Sequence, residues 1–234
     1  MAEWVAQNVQ RVHESIAAAC ERAGRDPQQV TLIGVTKGVT PAMVRAAWSA
    51  GVRHFGENRI QEAQPKIAAL ADLTGAVWHL IGHVQTNKAK PAVELFAMVH
   101  AVDSIRIADA LSARAAQIGK RLAVWLQVNV SGEASKQGVA PGEAEALARH
   151  LRSTPALEWR GLMTIAPLGD GAEQARPVFR ALRELRDALQ RAIGVDQLQL
   201  SMGMSHDFTV AVEEGADIVR IGSAIFQEQF RHGR

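Results

Sequence analysis

Short apolar runs rich in Val, Ile and Leu alternate along this chain with stretches whose apolar residues recur at helical spacing. The first pattern suits strands buried on both faces and the second suits amphipathic helices, so together they predict repeated βα units around a parallel sheet. Eight strands are expected, over Val30 to Lys37, Val52 to Asn58, Val77 to His83, Met98 to Ser104, Leu122 to Ser131, Trp159 to Pro167, Leu198 to Gly203 and Asp217 to Gly222. Between them lie helical segments such as PAMVRAAWSAG, SIRIADALSARAAQIG and EQARPVFRALRELRDALQRAIG, several closing on glycine as helices commonly do. Ahead of the first strand, Val5, Val9, Val12 and Ile16 predict an extra amphipathic helix from Glu3 to Ala23, packed on the outside or base of the sheet structure.

Eight strand–helix units in 234 residues fit a single (β/α)8 barrel. A doubly wound open sheet is the alternative. The barrel is preferred because no GxGxxG follows the first strand and no change of composition divides the chain, so residues 1–234 are expected to form one domain.

Composition narrows the partners. Lys and Arg total 26 against 24 Asp and Glu, with no basic run to track a phosphate backbone, so nucleic acid is not expected. A membrane is not expected either, because the chain lacks a run of about 18 apolar residues. The N-terminal segment does not read as a signal peptide and Cys20 is the single cysteine, which suits a reducing cytoplasm and excludes an intrachain disulfide.

In a barrel the chemistry sits where the strands end. Read in order, those positions hold Lys37, Glu57 with Asn58, His83, Ser104, Asn129 with Ser131, Met163, Ser201, and Arg220 with Gly222. Lys37 follows TLIGVT, where a partly apolar mouth favours the neutral amine whose lone pair attacks an aldehyde. A strand-end lysine can equally snorkel, with its ammonium in water. Of the six lysines, Lys66, Lys88, Lys90 and Lys120 fall on helical or turn segments, and Lys136, in the loop SGEASKQG, is the other candidate for the rim.

Two glycine–serine turns follow consecutive strands: Ser201, Gly203 and Ser205 in LSMGMSHDF, and Gly222 and Ser223 in VRIGSAIF. Such turns bind phosphate in many barrels, although either one alone also reads as a tight turn. Alternation along IVRIG points Arg220 inward, against the alternative of a surface arginine. A guanidinium facing a pyridine nitrogen would keep it unprotonated and weaken the ring as an electron sink. His79 and His83 share a strand face but supply two ligands without a third partner, so a hydrogen-bonding role is preferred to a metal.

The segments GVTKGV, HFGENRIQEAQPK, WHLIGHVQTNKAK, QVNVSGEASKQGV, GLMTIAP, LSMGMSHDF and VRIGSAIF closely resemble, in order and over almost the whole chain, the pyridoxal phosphate homeostasis protein family. The resemblance implies a barrel like the N-terminal domain of alanine racemase, with pyridoxal 5'-phosphate held covalently on Lys37. It also implies that Ser201, Gly222 and Ser223 hold the phosphate, that Arg220 faces the ring nitrogen, and that Asn58 flanks the ring. Lys136, His83 and Met163 are secondary candidates, with Lys136 matched to cofactor uptake or release. The chain departs from the family at Arg59, where tyrosine is usual, and at Gln227, where glycine is usual.

Alanine racemases of this fold use a lysine and a tyrosine as paired bases, and this chain has no tyrosine. The resemblance therefore implies a carrier that buffers the cofactor or delivers it to apoenzymes, not an enzyme, and a monomer is preferred to a dimer. A weak racemase or lyase acting through Lys37 and a metal-assisted hydrolase built on His79 and His83 are the competing readings.

Overall fold

The computed structural model describes residues 3–133, 136–167, 169 and 171–228. Ala134 and Ser135, the middle of the expected loop SGEASKQG, lie outside them.

Among the described residues, eight strands close a parallel barrel in sequence order. They are β1 (Thr31–Val35), β2 (His54–Glu57), β3 (Val77–Leu80), β4 (Met98–Val102), β5 (Leu122–Gln127), β6 (Leu157–Met163), β7 (Gln199–Ser201) and β8 (Ile218–Ile221). The helices are α1 (Glu3–Arg22), α2 (Pro41–Ser49), α3 (Ile60–Ala69), α4 (Ala89–Leu95), α5 (Ile105–Gln117), α6 (Ala144–Ser153), α7 (Arg176–Ile193), α8 (Phe208–Glu213) and α9 (Ser223–Phe226). Each strand is followed by one helix, α2 to α9 in turn, and α1 is the expected extra element.

Strand pairing fixes which side chains face inward, because neighbours on one strand point to opposite faces. Pairing of Ile33 with His54 on one side and Arg220 on the other sets those three at one level of the barrel. Ile33, Ala101, Ala123, Trp125, Met163 and Ile218 form an apolar interior cluster. Their sequence neighbours Leu32, Val124, Leu162 and Val219 face outward into the larger layer between strands and helices.

Local signals explain where the helices start and stop. Thr40 caps α2 with Pro41 in its first turn, Ser104 caps α5, and α7 ends on Gly194 at φ 67°. On α1 the buried residues Val5, Val9, Val12, Ile16 and Ala19 form one stripe that packs against α2, α8 and α9. Asn8 lies in that stripe because its amide donates to the Ile225 carbonyl at 3.0 Å, tying α1 to the last helix.

The strands end earlier than the apolar pattern predicts. β5 was expected to reach Ser131 and stops at Gln127; β6 was expected to reach Pro167 and stops at Met163. The residues beyond stay apolar because they are buried after leaving the ladder, as Val128 and Ala166 are.

Candidate functional site

A cavity of about 530 Å³ opens at the C-terminal ends of β8, β1 and β2 and reaches across to the segments after β3, β6 and β7. Lys37, Asn58, Lys136, Arg220, Gly222 and Ser223 line it together, with apolar walls from Val35, Ile81, Ile165, Met204 and Phe226. The volume suits a small-molecule ligand, and an apolar wall with a few convergent polar groups is the usual form of such sites.

Lys37 is positioned by a tight turn. Thr36 accepts from the Val39 amide at 3.0 Å, and Gly38 takes φ 70°, which glycine adopts at little cost. The turn is clamped from below by a buried ion pair. Lys66, on α3, donates to the Thr36 carbonyl at 2.5 Å and to Glu57 Oε1 at 2.6 Å. Thr36 Oγ1 donates to the same carboxylate oxygen at 2.6 Å, while Glu57 Oε2 has no hydrogen-bond partner among the described residues. Glu57, which the strand pattern placed at the rim, is thus fully buried and supports the backbone carrying Lys37.

Asn58 follows directly, its backbone packed against Gly82 so closely that a Cβ there would lie 2.3 Å from the Asn58 oxygen. Lys136 reaches the cavity from the loop after β5, where the Asn129 amide donates to the carbonyls of Glu133 at 2.9 Å and Lys136 at 3.3 Å. That contact accounts for Asn129 as a loop clasp.

At the β8 end, the amides of Gly222 and Ala224 both donate to Ser205 Oγ at 3.2 Å. Two backbone donors therefore converge on one oxygen at the cavity wall, beside glycine backbone that leaves room for a ligand. Arg220 is nearly fully buried and donates to Ser201 Oγ at 2.7 Å and to the Thr164 carbonyl at 2.9 Å. Burial pulls its guanidinium down to about 10, still charged at neutral pH, with Asp207 countering part of that effect. No carboxylate among the described residues reaches ion-pair distance of it, so a buried cation faces the cavity.

A family model described as alanine racemase, N-terminal domain, matches residues 7–229. A pyridoxal phosphate homeostasis protein of Pseudomonas aeruginosa is 48% identical over 223 residues, covering 95% of this chain and 94% of the relative. The protein of that name from Aquifex aeolicus is 44% identical over 223 residues, with 95% and 97% covered. The chain belongs to the pyridoxal phosphate homeostasis protein family. PipY of Synechococcus elongatus has a solved structure with pyridoxal phosphate bound; it is 39% identical with a TM-score of 0.80, covering 92% of this chain and 99% of that one. Alanine racemase from Corynebacterium glutamicum shares the fold at a TM-score of 0.71 and 17% identity.

Three residues expected at this family's cofactor site are placed elsewhere by the structure. Ser201, expected at a phosphate, is fully buried beneath Arg220 and is not among the residues lining the cavity. It is the last residue of β7 and points into the barrel interior, whereas Ser205, four residues on in the following turn, reaches the wall. Met163 is buried in the interior apolar cluster, one level below the cavity floor. His83 lies on a separate stretch of rim, paired with Asp103 at 3.2 Å.

His79 forms hydrogen bonds with other histidines on both sides: its Nε2 lies 2.9 Å from His54 Nδ1 and its Nδ1 2.9 Å from His100 Nε2. The ring nitrogens bond to one another and do not converge on a common point as metal ligands would. Sequence reasoning missed His54, His100 and Lys66. His54 and His100 each stand at an inward position of an expected strand, which was the available signal; the reach of Lys66 depends on how α3 packs and left none. At the two departures from the family pattern, Arg59 is exposed and pairs with Glu62 at 3.1 Å, and Gln227 lines the cavity.

Proposed function

We propose that this chain binds pyridoxal 5'-phosphate as a Schiff base on Lys37 and serves intracellular homeostasis of the cofactor, buffering it or delivering it to apoenzymes. The observation that carries this reading is the convergence, around one cavity, of a lysine amine, a buried unpaired guanidinium and two backbone N–H groups meeting at one point. Each answers a different part of the ligand. The amine answers the aldehyde, the paired N–H groups with Ser205 and Ser223 answer the phosphate, and Arg220 answers the ring nitrogen. Ile81 and Ile165 line the same cavity and supply apolar surface against which a planar ring would pack. Relatives that carry the cofactor's name, and the structure of PipY with pyridoxal phosphate bound, support the same reading.

When bound, the cofactor supplies an aldehyde that exchanges between amines and a ring that accepts electrons. This chain's residues favour holding over turnover. Arg220 would hold the ring nitrogen through a guanidinium N–H, which would leave that nitrogen unprotonated and limit the ring's acceptance of charge. The chain also has no tyrosine to act as the second base of a racemase. Lys136 stands within the same cavity as a second amine, suited to passing the aldehyde into or out of the site. We place the protein in the cytoplasm, as one domain acting as a monomer.

An absorbance titration with pyridoxal phosphate tests the reading, followed by steady-state turnover across a panel of amino acids. The expected result is saturable growth of an imine band at one site per chain with no sustained turnover. Absence of the band overturns the cofactor reading, and sustained racemisation or elimination overturns the carrier reading.

A further inference from the structure

A row of polar side chains crosses the inside of the barrel and ends at the cavity. It begins at His54, half-buried on the first residue of β2, and continues through His79 on β3 and His100 on β4. His100 Nδ1 lies 2.9 Å from Ser201 Oγ, and Ser201 Oγ accepts from Arg220 at 2.7 Å. His79 and His100 are essentially inaccessible, and His100 stacks on Trp125 with ring centroids 4.3 Å apart and planes within 9°.

The direction of every hydrogen in this row follows from its last member. A guanidinium can only donate, so Ser201 Oγ must accept from Arg220. The hydroxyl hydrogen of Ser201 then has one acceptor among the described residues, His100 Nδ1. A neutral His100 with a bare Nδ1 carries its hydrogen on Nε2 and donates to His79 Nδ1. By the same logic His79 Nε2–H donates to His54 Nδ1. Burial pushes His79 down to about 3, and His100 is also held well below the ordinary imidazole value by burial, so the interior members are neutral.

We propose that His54, His79 and His100 are positioning residues for the cofactor site, a one-way hydrogen-bond chain that holds Ser201 and Arg220 in place and substitutes for a carboxylate counterion. With each hydrogen on Nε2, the electron-rich Nδ1 ends of all three rings point along the row toward Arg220. Aligned neutral dipoles stabilise the buried cation without cancelling its charge. A carboxylate in their place would neutralise the guanidinium and compete with the ligand's ring nitrogen for its donors. The row therefore keeps Arg220 charged, fixed by two hydrogen bonds, and with N–H groups to spare at the cavity wall. This inference rests on the reading of the cavity as a pyridoxal phosphate site, and its test separates the two.

Nitrogen-15 spectra of the histidine rings in the ligand-free protein test the chain without the cofactor. The expected result is a bare Nδ1 and a protonated Nε2 on both His79 and His100 at neutral pH; a hydrogen on His100 Nδ1 would overturn the proposal. Two variants then test its effect on the site. His79→Leu cuts the row, and the expected outcome is roughly tenfold weaker uptake of pyridoxal phosphate with a shifted absorption maximum for the bound form. His79→Gln restores both, because an amide can accept from His100 and donate to His54. If wild type takes up the cofactor and His79→Leu matches it in affinity and spectrum, the row has no such role. If wild type takes up none, the reading of the cavity fails, and the ring tautomers still decide the direction of the chain.

Discussion

The two sides of the barrel's C-terminal rim carry similar residues and differ in what those residues have left to give. On the side of β3 to β5, His83 pairs with Asp103, Ser104 caps α5, and Asn129 clasps the loop to Lys136. Their hydrogen-bonding capacity is spent on local structure. On the side of β8, β1 and β2, Lys37 stands on a turn braced from below and Arg220 keeps donors unspent, beside a turn whose Gly222 and Ala224 amides are held on Ser205 Oγ. A polar residue at a strand end is therefore a candidate by position, and becomes part of a site when its neighbours leave it unsatisfied.

The brace beneath Lys37 offers the largest effect with which to break this comparison. Lys66→Ala leaves Glu57 as an uncompensated buried carboxylate, and the expected loss is about 3–5 kcal/mol of stability by chemical denaturation, with weaker uptake of pyridoxal phosphate. A loss confined to stability, with uptake unchanged, would show that the clamp on the Thr36 carbonyl does not set the position of Lys37.

Acid should come next in size. His79 titrates at about 3 when folded against an ordinary value of 6.5, so the unfolded chain binds more protons between those values. Folding stability is then complete above about 6.5 and declines as pH falls towards about 3, with a slope approaching 1.36 kcal/mol per pH unit from this residue. His100 adds to the decline in the same direction. Equilibrium unfolding between pH 7 and pH 4 checks the sign, and His79→Gln should flatten the dependence. A curve equally steep in that variant would assign the acid sensitivity to other groups.

The smallest effect belongs to the spent side of the rim. Ser104→Ala removes the cap of α5 and should cost about 1 kcal/mol in thermal or chemical unfolding while leaving cofactor uptake unchanged within about twofold. A large loss of uptake there would extend the site across the rim and erase the contrast between its two sides.

How much of this was legible in the sequence differs between backbone and site. The eight strands were readable because β-rich apolar runs of strand length recur between helical stretches, and the extra helix because its stripe of valines keeps helical spacing. Strand ends were placed too late wherever the chain stays buried after leaving the ladder, since hydrophobicity reports burial and not pairing. Within the site, Lys37, Arg220 and Gly222 were legible because each sits at or beside a strand end, where the barrel itself sets the geometry. Ser201 and Ser205 were not separable, because both fall in the short segment LSMGMS and only the point where β7 ends, leaving Ser201 on the strand and Ser205 in the turn, distinguishes them. The histidine row was hidden for a different reason: its members come from separate strands and meet sideways across the barrel.

The central claim, that Lys37 is the tether, is tested most directly by loading the protein with pyridoxal phosphate, reducing with borohydride and mapping the labelled peptide. The account predicts that the label falls on Lys37 and that Lys37→Ala abolishes it. Label mapping to Lys136, or an unlabelled protein, would contradict it.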